Sequence, residues 1–174
     1  GKDHGLIPRI HADEFEDSNG ALIAYKSGAI SADHLMAIGE NGLDYLSKSK
    51  TIAILLPGTT FFLGKNSYAP YEKIKEAEID IALASDFNPG SCYIKSLSFI
   101  ISLACIYLKM PILEALKAVT YNAAKSLMLD KKIGSIEINK NADIIIWNLD
   151  DFIKIPSRIP NSTIFNVIKN GEFI

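Results

Sequence analysis

The stretch IDIALAS at residues 79–85, followed directly by DFNPGS at residues 86–91, decides the fold of this chain. The first part is typical of an apolar β-strand, and it ends abruptly at the carboxylate of Asp86. The second part consists largely of Asn, Pro, Gly and Ser, the residues that build tight loops. Because α/β barrel enzymes place their chemistry at the carboxyl ends of buried parallel strands, this junction predicts a functional site.

Two earlier segments repeat this arrangement of an apolar strand that ends in histidine or an acid. Residues 7–14 contain His11 and Glu14, and residues 29–34 end in His34. A single histidine at a strand end is more often a structural hydrogen-bonding residue than a catalytic one. Three strand ends of the same kind favour the catalytic interpretation.

Strands and helices alternate along the first part of the chain. The pattern predicts strands at 6–13, 29–33, 51–56 and 79–85. It also predicts a helix that is capped by Ser18 or Asn19 and runs to about 27, and helices near 40–50 and 71–77. A loop containing Phe61 and Phe62 is predicted before the third of these helices. The order is typical of a parallel sheet with right-handed crossovers. Because residues 51–56 are continuously apolar, we expect that strand to be covered on both faces.

The second part of the chain changes character twice. Helices are predicted at 96–109, 112–119 and 121–129, and short strands at 142–147 and within 163–174. We therefore predict two parts, an α/β part at 1–130 and a small β segment at 131–174. Four βα units are half of an eightfold barrel, and their open edges would be poorly protected. Both parts are expected to need partners.

The composition is that of an ordinary soluble globular protein, with 48% hydrophobic and 22% charged residues. A net charge of −2 provides no basic surface for nucleic acid. Since no apolar run reaches about 18 residues, we predict no membrane span. Two cysteines fit a reducing cytoplasm better than a disulfide-stabilised fold, and the first residues lack the apolar core of a signal peptide.

Three of the strand-end residues can bind a metal ion or act on a carbonyl group. A metal ion that activates water needs nitrogen or oxygen ligands and one open position. His11 and Asp86 are predicted on the same face of the sheet, so they can both be ligands of one ion. Asp86 can also take a proton from water. His34 can polarise a carbonyl group, although a hydrogen-bonded core histidine is the alternative.

The loops beside these strand ends offer further polar groups. Glu14, three residues after His11, can hold a polar substrate or shuttle protons, or it is a solvated loop acid. Asn88, Gly90 and Ser91 offer an amide, a close backbone approach and a hydroxyl to a ligand. The same three residue types are also common in strand-to-helix turns, so both interpretations stay open.

The order of four motifs resembles the imidazolonepropionases, a family of the amidohydrolase superfamily of metal-dependent hydrolases. The motifs are HADE at 11–14, SADH at 31–34, LLPG at 55–58 and ASDFNPGS at 84–91. The segment GSIEINKNAD at 134–143 is similar to the point where chains of that superfamily return to a small β-sandwich. The resemblance spans essentially the whole chain, and the DFNPGS loop is its most specific part.

The resemblance implies a partial TIM-type (β/α)8 barrel, about strands five to eight, followed by a β segment of a composite β-sandwich domain. It implies hydrolysis of carbon–nitrogen bonds in cyclic amidines or amides. In that family, water opens 4-imidazolone-5-propanoate to N-formimino-L-glutamate during histidine degradation, with one divalent metal ion, zinc or iron. The residues implied are His11 and Asp86 as metal ligands, Asp86 as proton acceptor, His34 at the reacting carbonyl, and Glu14, Asn88, Gly90 and Ser91 on the substrate.

The chain also departs from the family pattern. The His-x-His pair of the family's first strand is absent, since the three histidines are His4, His11 and His34. A catalytic zinc normally takes at least three protein ligands, so we expect the isolated chain to be inactive. Whether it holds metal alone stays open. Expected partners are a small-molecule substrate and a missing N-terminal half or another copy of the chain, in a homo-oligomer. Alternatives are another deaminase or cyclic-amide hydrolase of the superfamily, or a non-catalytic half-barrel paired with a partner chain.

Overall fold

The chain forms two separate sheets in the computed structural model, which describes residues 1–159 and 161–174. The first sheet is parallel and has the order β1-β2-β3-β4, with strands at Arg9–Ala12 (β1), Ser31–His34 (β2), Ile52–Leu55 (β3) and Ile81–Leu83 (β4). The second is antiparallel, with strands at Ile144–Trp147 (β5), Ile164–Lys169 (β6) and Glu172–Phe173 (β7).

Helices connect the parallel strands and continue after the last of them. They are α1 (Gly20–Ser27), α2 (Glu40–Ser47), α3 (Pro57–Phe62), α4 (Tyr71–Glu76), α5 (Leu97–Tyr107), α6 (Ile112–Val119) and α7 (Tyr121–Ser126). Short 3-10 helices cover Lys2–His4 and Phe152–Ser157. The longest helix, α5, has 11 residues. In the described ranges 1–159 and 161–174, no helix has the length and apolarity needed to cross a membrane.

The core lies between the parallel sheet and its helices. Its fully buried side chains include Leu35, Leu46, Leu55, Ile74, Leu83, Ile100 and Leu103. A smaller apolar cluster of Ile52, Ile54, Leu56 and Ala82 forms separately from this core. Burial of both sets of β3 side chains confirms that this strand is covered on two faces, as its apolar sequence predicts.

The strand register brings the predicted site residues to one edge of the sheet. His11 is paired with Asp33 and Ala12 with His34 in the parallel ladder between β1 and β2. Because parallel strands end at the same edge, the polar groups that follow β1, β2 and β4 lie on one side of the molecule. The partial barrel-like α/β fold is therefore confirmed. The barrel numbering of the strands and the sandwich assignment of β5–β7 stay predictions, as does the boundary near residue 130.

One loop prediction is wrong. Phe61 and Phe62 lie in helix α3, because Pro57 begins that helix with a preset φ angle and without needing an N–H partner. The 3-10 helix at Phe152–Ser157 has no counterpart in the sequence prediction. Asp151 begins it by accepting a hydrogen bond from the Ile153 N–H at 2.9 Å.

Candidate metal and catalytic site

Left-handed backbone marks the points where three strands run into their loops. Asp13 has φ 48°, His34 has φ 79° and Asp86 has φ 52°. Positive φ is uncommon outside glycine, although Asp and His adopt it more readily than most residues. Each such residue costs on the order of 1 kcal/mol, so the surrounding structure must hold it in place. At these three positions the backbone leaves strand geometry, so the side chains no longer follow the up-and-down alternation of a strand.

His11, Glu14 and His34 meet at the carboxyl ends of β1 and β2. His11 Nδ1 lies 2.9 Å from His34 Nε2, and His34 Nδ1 lies 3.7 Å from Glu14 Oε1. One ligand atom from each of the three lies within 4.8 Å of the others. His34 Nδ1 is buried and has no hydrogen-bond partner within the described residues. Two imidazoles and a carboxylate form a donor set that fits a divalent ion such as zinc.

The His34 imidazole has an altered proton affinity. Burial lowers the pKa of His34 most strongly, and the neighbouring His11 lowers it further. The carboxylates of Glu14 and Asp86 act in the opposite direction without cancelling the effect of burial. His34 is therefore neutral near pH 7, and a neutral imidazole can donate one hydrogen bond and accept another.

Asp86, the acid that follows β4, is held by a buried threonine. Thr59 Oγ1 donates to Asp86 Oδ2 at 2.6 Å. The Asp86 carboxylate raises the pKa of His34, against the larger lowering effect of burial. Asp86 is not one of the three residues whose ligand atoms lie within 4.8 Å. Its role as a metal ligand stays a prediction.

The Asn88 side chain is used inside its own loop. Its Nδ2 donates to the Asp86 carbonyl at 2.7 Å and to Ser91 Oγ at 2.9 Å. Its Oδ1 accepts from the backbone N–H groups of Gly90 and Ser91, both at 2.8 Å. These bonds match the turn interpretation of Asn88, Gly90 and Ser91. Their contact with a substrate stays a prediction.

Sequence reasoning missed the role of Asp13. This carboxylate is 2% exposed and accepts hydrogen bonds from the backbone N–H groups of Gly20 (2.8 Å), Ala21 (3.0 Å) and Ser18 (3.1 Å). It therefore caps helix α1 from a position outside the helix and fixes the loop that carries Glu14. Asn19 occupies the N-cap position without making a side-chain cap bond.

A parallel sheet flanked by helices, with imidazole and carboxylate groups at the carboxyl ends of its strands, fits part of a barrel-type α/β fold. The profile of the amidohydrolase family matches residues 19–174, and the chain belongs to that family. This confirms the superfamily to which the sequence motifs point.

Relatives in sequence agree with this assignment, and a solved structure shares the fold. The chain is 42% identical over 170 residues to an imidazolonepropionase of Bacillus velezensis, covering 98% of this chain and 40% of that protein. It is 41% identical over 174 residues to an imidazolonepropionase of Shouchella clausii, covering 100% of this chain and 39% of that protein. An adenosine deaminase structure from Xanthomonas campestris with bound zinc has a TM-score of 0.80 over 99% of this chain and 46% of its own, at 16% identity, which shows a shared fold.

Proposed function

We propose that this chain is the C-terminal portion of an imidazolonepropionase, which hydrolyses 4-imidazolone-5-propanoate to N-formimino-L-glutamate. The observation that carries the proposal is the meeting of His11, Glu14 and His34 at the carboxyl ends of adjacent parallel strands. Its support is the name shared by relatives about 40% identical to nearly the whole chain. The chain spans about 40% of the length of those relatives. We infer that the working enzyme is cytoplasmic and homo-oligomeric.

A divalent ion, zinc or iron, would be held in part by His11 and Asp86. His11 Nδ1 contacts His34, so Nε2 is the nitrogen left for an ion. Asp86 Oδ2 accepts from Thr59, which leaves Oδ1. In this proposal Glu14 and His34, although close enough to His11 to share an ion with it, act on the substrate instead. The remaining ligands would come from residues outside this chain. When bound, such an ion supplies acidity to a water molecule and polarises a carbonyl group.

Three residues of the chain would then have separate roles in opening the ring. Hydrolysis forms a bond between the water oxygen and the ring carbonyl carbon and breaks the bond from that carbon to a ring nitrogen. Asp86 accepts a proton from the water and delivers it to the leaving nitrogen. The neutral His34 donates a hydrogen bond to the carbonyl oxygen, where negative charge develops. Glu14 accepts a hydrogen bond from a ring N–H.

A cavity beside Glu14 supports its role in holding a small molecule. The cavity has a volume of about 360 Å³. Its lining residues are Glu14, Phe15, Met36, Ala37, Lys65, Asn66 and Ser67. Glu14 therefore lies near His34 and also lines this open space, unlike a fully solvated loop acid. The other proposed acting residues, His34 and Asp86, do not line the cavity.

The test is a chimera in which the N-terminal portion of the Bacillus velezensis relative precedes this chain. We expect the folded, metal-loaded chimera to convert imidazolonepropionate to formiminoglutamate, and the 174-residue chain alone to be inactive. The Asp86→Asn chimera should lose at least 100-fold in kcat, on the order of a general-base contribution. A metal-loaded chimera that leaves imidazolonepropionate intact but turns over guanine or dihydroorotate would assign another amidohydrolase substrate.

A further inference from the structure

Thr59 makes a buried hydrogen bond to the candidate proton acceptor. Its side chain is 0% exposed, and its Oγ1 lies 2.6 Å from Asp86 Oδ2. An ionised carboxylate only accepts hydrogen bonds, so the threonine hydroxyl is the donor. Among the described residues, Thr59 is the only side chain with a hydrogen bond to the Asp86 carboxylate.

Close packing around helix α3 holds this hydroxyl in place. A Cβ atom added at Gly58 would lie 2.7 Å from Ile100 Cδ1 and 3.3 Å from the Ser85 carbonyl oxygen. Glycine therefore allows the first turn of α3 to approach the chain just before Asp86. The Cys92 thiol donates a hydrogen bond to the same Ser85 carbonyl at 3.1 Å and so links the two ends of the loop at residues 86–91.

We propose that Thr59 is a positioning residue for Asp86. Its hydroxyl occupies one lone pair of Oδ2 and fixes the orientation of the carboxylate. Oδ1 could then hold a metal ion, and the second lone pair of Oδ2 would take the proton of the attacking water. The inference rests on the proposed function, because it gives Asp86 the role described there. Outer hydrogen-bond partners of metal ligands typically contribute 10-fold to 100-fold in metal affinity, about the size expected here.

The neighbouring Thr60 provides a matched control. It lies in the same helix turn, is 1% exposed, and has its hydroxyl 2.9 Å from Met36 Sδ rather than from a site carboxylate. Replacing either threonine by valine removes one buried hydroxyl and keeps the side-chain shape. Only Thr59→Val removes a bond to Asp86, so a difference between the two variants separates positioning from packing.

The experiment measures zinc dissociation constants of the chimera by competition with a chromogenic chelator, together with kcat, KM and the thermal midpoint. We expect Thr59→Val to raise the zinc Kd about 10-fold to 100-fold and to lower kcat. Thr59→Ser, which restores the donor, should stay within about threefold of wild type, and Thr60→Val should match wild type. If Thr59→Val does not fold, Thr59→Ala also removes the donor without adding a zinc-binding group, and Thr60→Ala is its control.

The outcomes separate this inference from the proposed function. An unchanged zinc Kd in Thr59→Val, or an equal increase in Thr60→Val, would overturn the positioning role while wild-type turnover stands. A zinc-binding chimera that leaves imidazolonepropionate intact would refute the substrate, and the Kd comparison would still decide the role of Thr59. A folded wild-type chimera without zinc affinity would overturn both.

Discussion

The carboxylate of Asp13 offers the sharpest test of how the site loop is held. Replacing Asp13 by alanine removes the acceptor for the backbone N–H groups of Gly20, Ala21 and Ser18. Gly20 and Ala21 are buried, so water cannot readily replace the lost acceptor at those two groups. Ser18 is exposed and can bind water instead.

The expected loss follows from these partners. Each of the two buried N–H groups left without an acceptor costs about 1.5 kcal/mol, in the lower half of the usual range of about 1–3 kcal/mol, and Ser18 adds little. Alanine at the positive φ of Asp13 adds about 1 kcal/mol of strain. We therefore expect Asp13→Ala to lower the free energy of unfolding by about 4 kcal/mol. Asp13→Asn, which keeps one acceptor oxygen and tolerates the backbone angle, should cost about half as much.

The assay is urea unfolding of the 174-residue chain, followed by far-UV circular dichroism. With a slope of about 2 kcal/mol per molar urea, Asp13→Ala should lower the midpoint by about 2 M. The control is Asp17→Ala, because Asp17 is exposed in the same loop and accepts one long bond, 3.3 Å, from Asn19. Equal midpoints for Asp13→Ala and Asp17→Ala would refute the capping role.

Three further expectations concern the pH response and packing of the chain. In the metal-free chain, burial lowers the pKa of His34 in the folded state, so the unfolded state binds the proton more readily. The free energy of unfolding should therefore fall as the pH drops below about 6.5, the pKa of a histidine in the unfolded chain. His34→Gln should flatten this difference in urea titrations, and parallel pH curves for the two proteins would contradict it. Gly20→Ala should destabilise the chain by about 1–3 kcal/mol, because the added Cβ would lie 2.7 Å from Ala12 Cα. Thermal unfolding measures this loss of stability, and a variant more stable than wild type would contradict the prediction. Burial and the hydrogen bond to Glu114 raise the pKa of Tyr71 to about 12, so this tyrosine stays protonated near pH 10.5. Tyr71→Phe should therefore leave the phenolate absorbance at that pH unchanged, and a loss of absorbance would contradict the raised pKa.

Periodicity and turn residues were enough to locate most elements. Helix α6 has the predicted bounds, 112–119, because Pro111 sets its start and its apolar face is regular. The four parallel strands lie inside or within one residue of the predicted ranges. They are shorter than predicted chiefly because the chain leaves the sheet early on both sides, as at β4, which covers only Ile81–Leu83 of the predicted 79–85.

The missed features all depend on contacts between distant residues. The Thr59–Asp86 bond joins positions 27 residues apart, and the Asp13–Gly20 bond crosses a loop from strand to helix. No local spacing rule links these pairs. The sequence located the His11, Glu14 and His34 cluster because strand ends of a parallel sheet meet at one edge, a general property of the fold.

The left-handed backbone at His34 and Asp86 has a consequence for selection experiments. A library screened only for heat resistance would favour glycine or asparagine at these two positions, because those residues relieve the local strain. Such a screen would select variants with higher thermal stability that lack the side chains of the proposed active site. Stability-guided redesign of this chain should therefore hold both positions fixed.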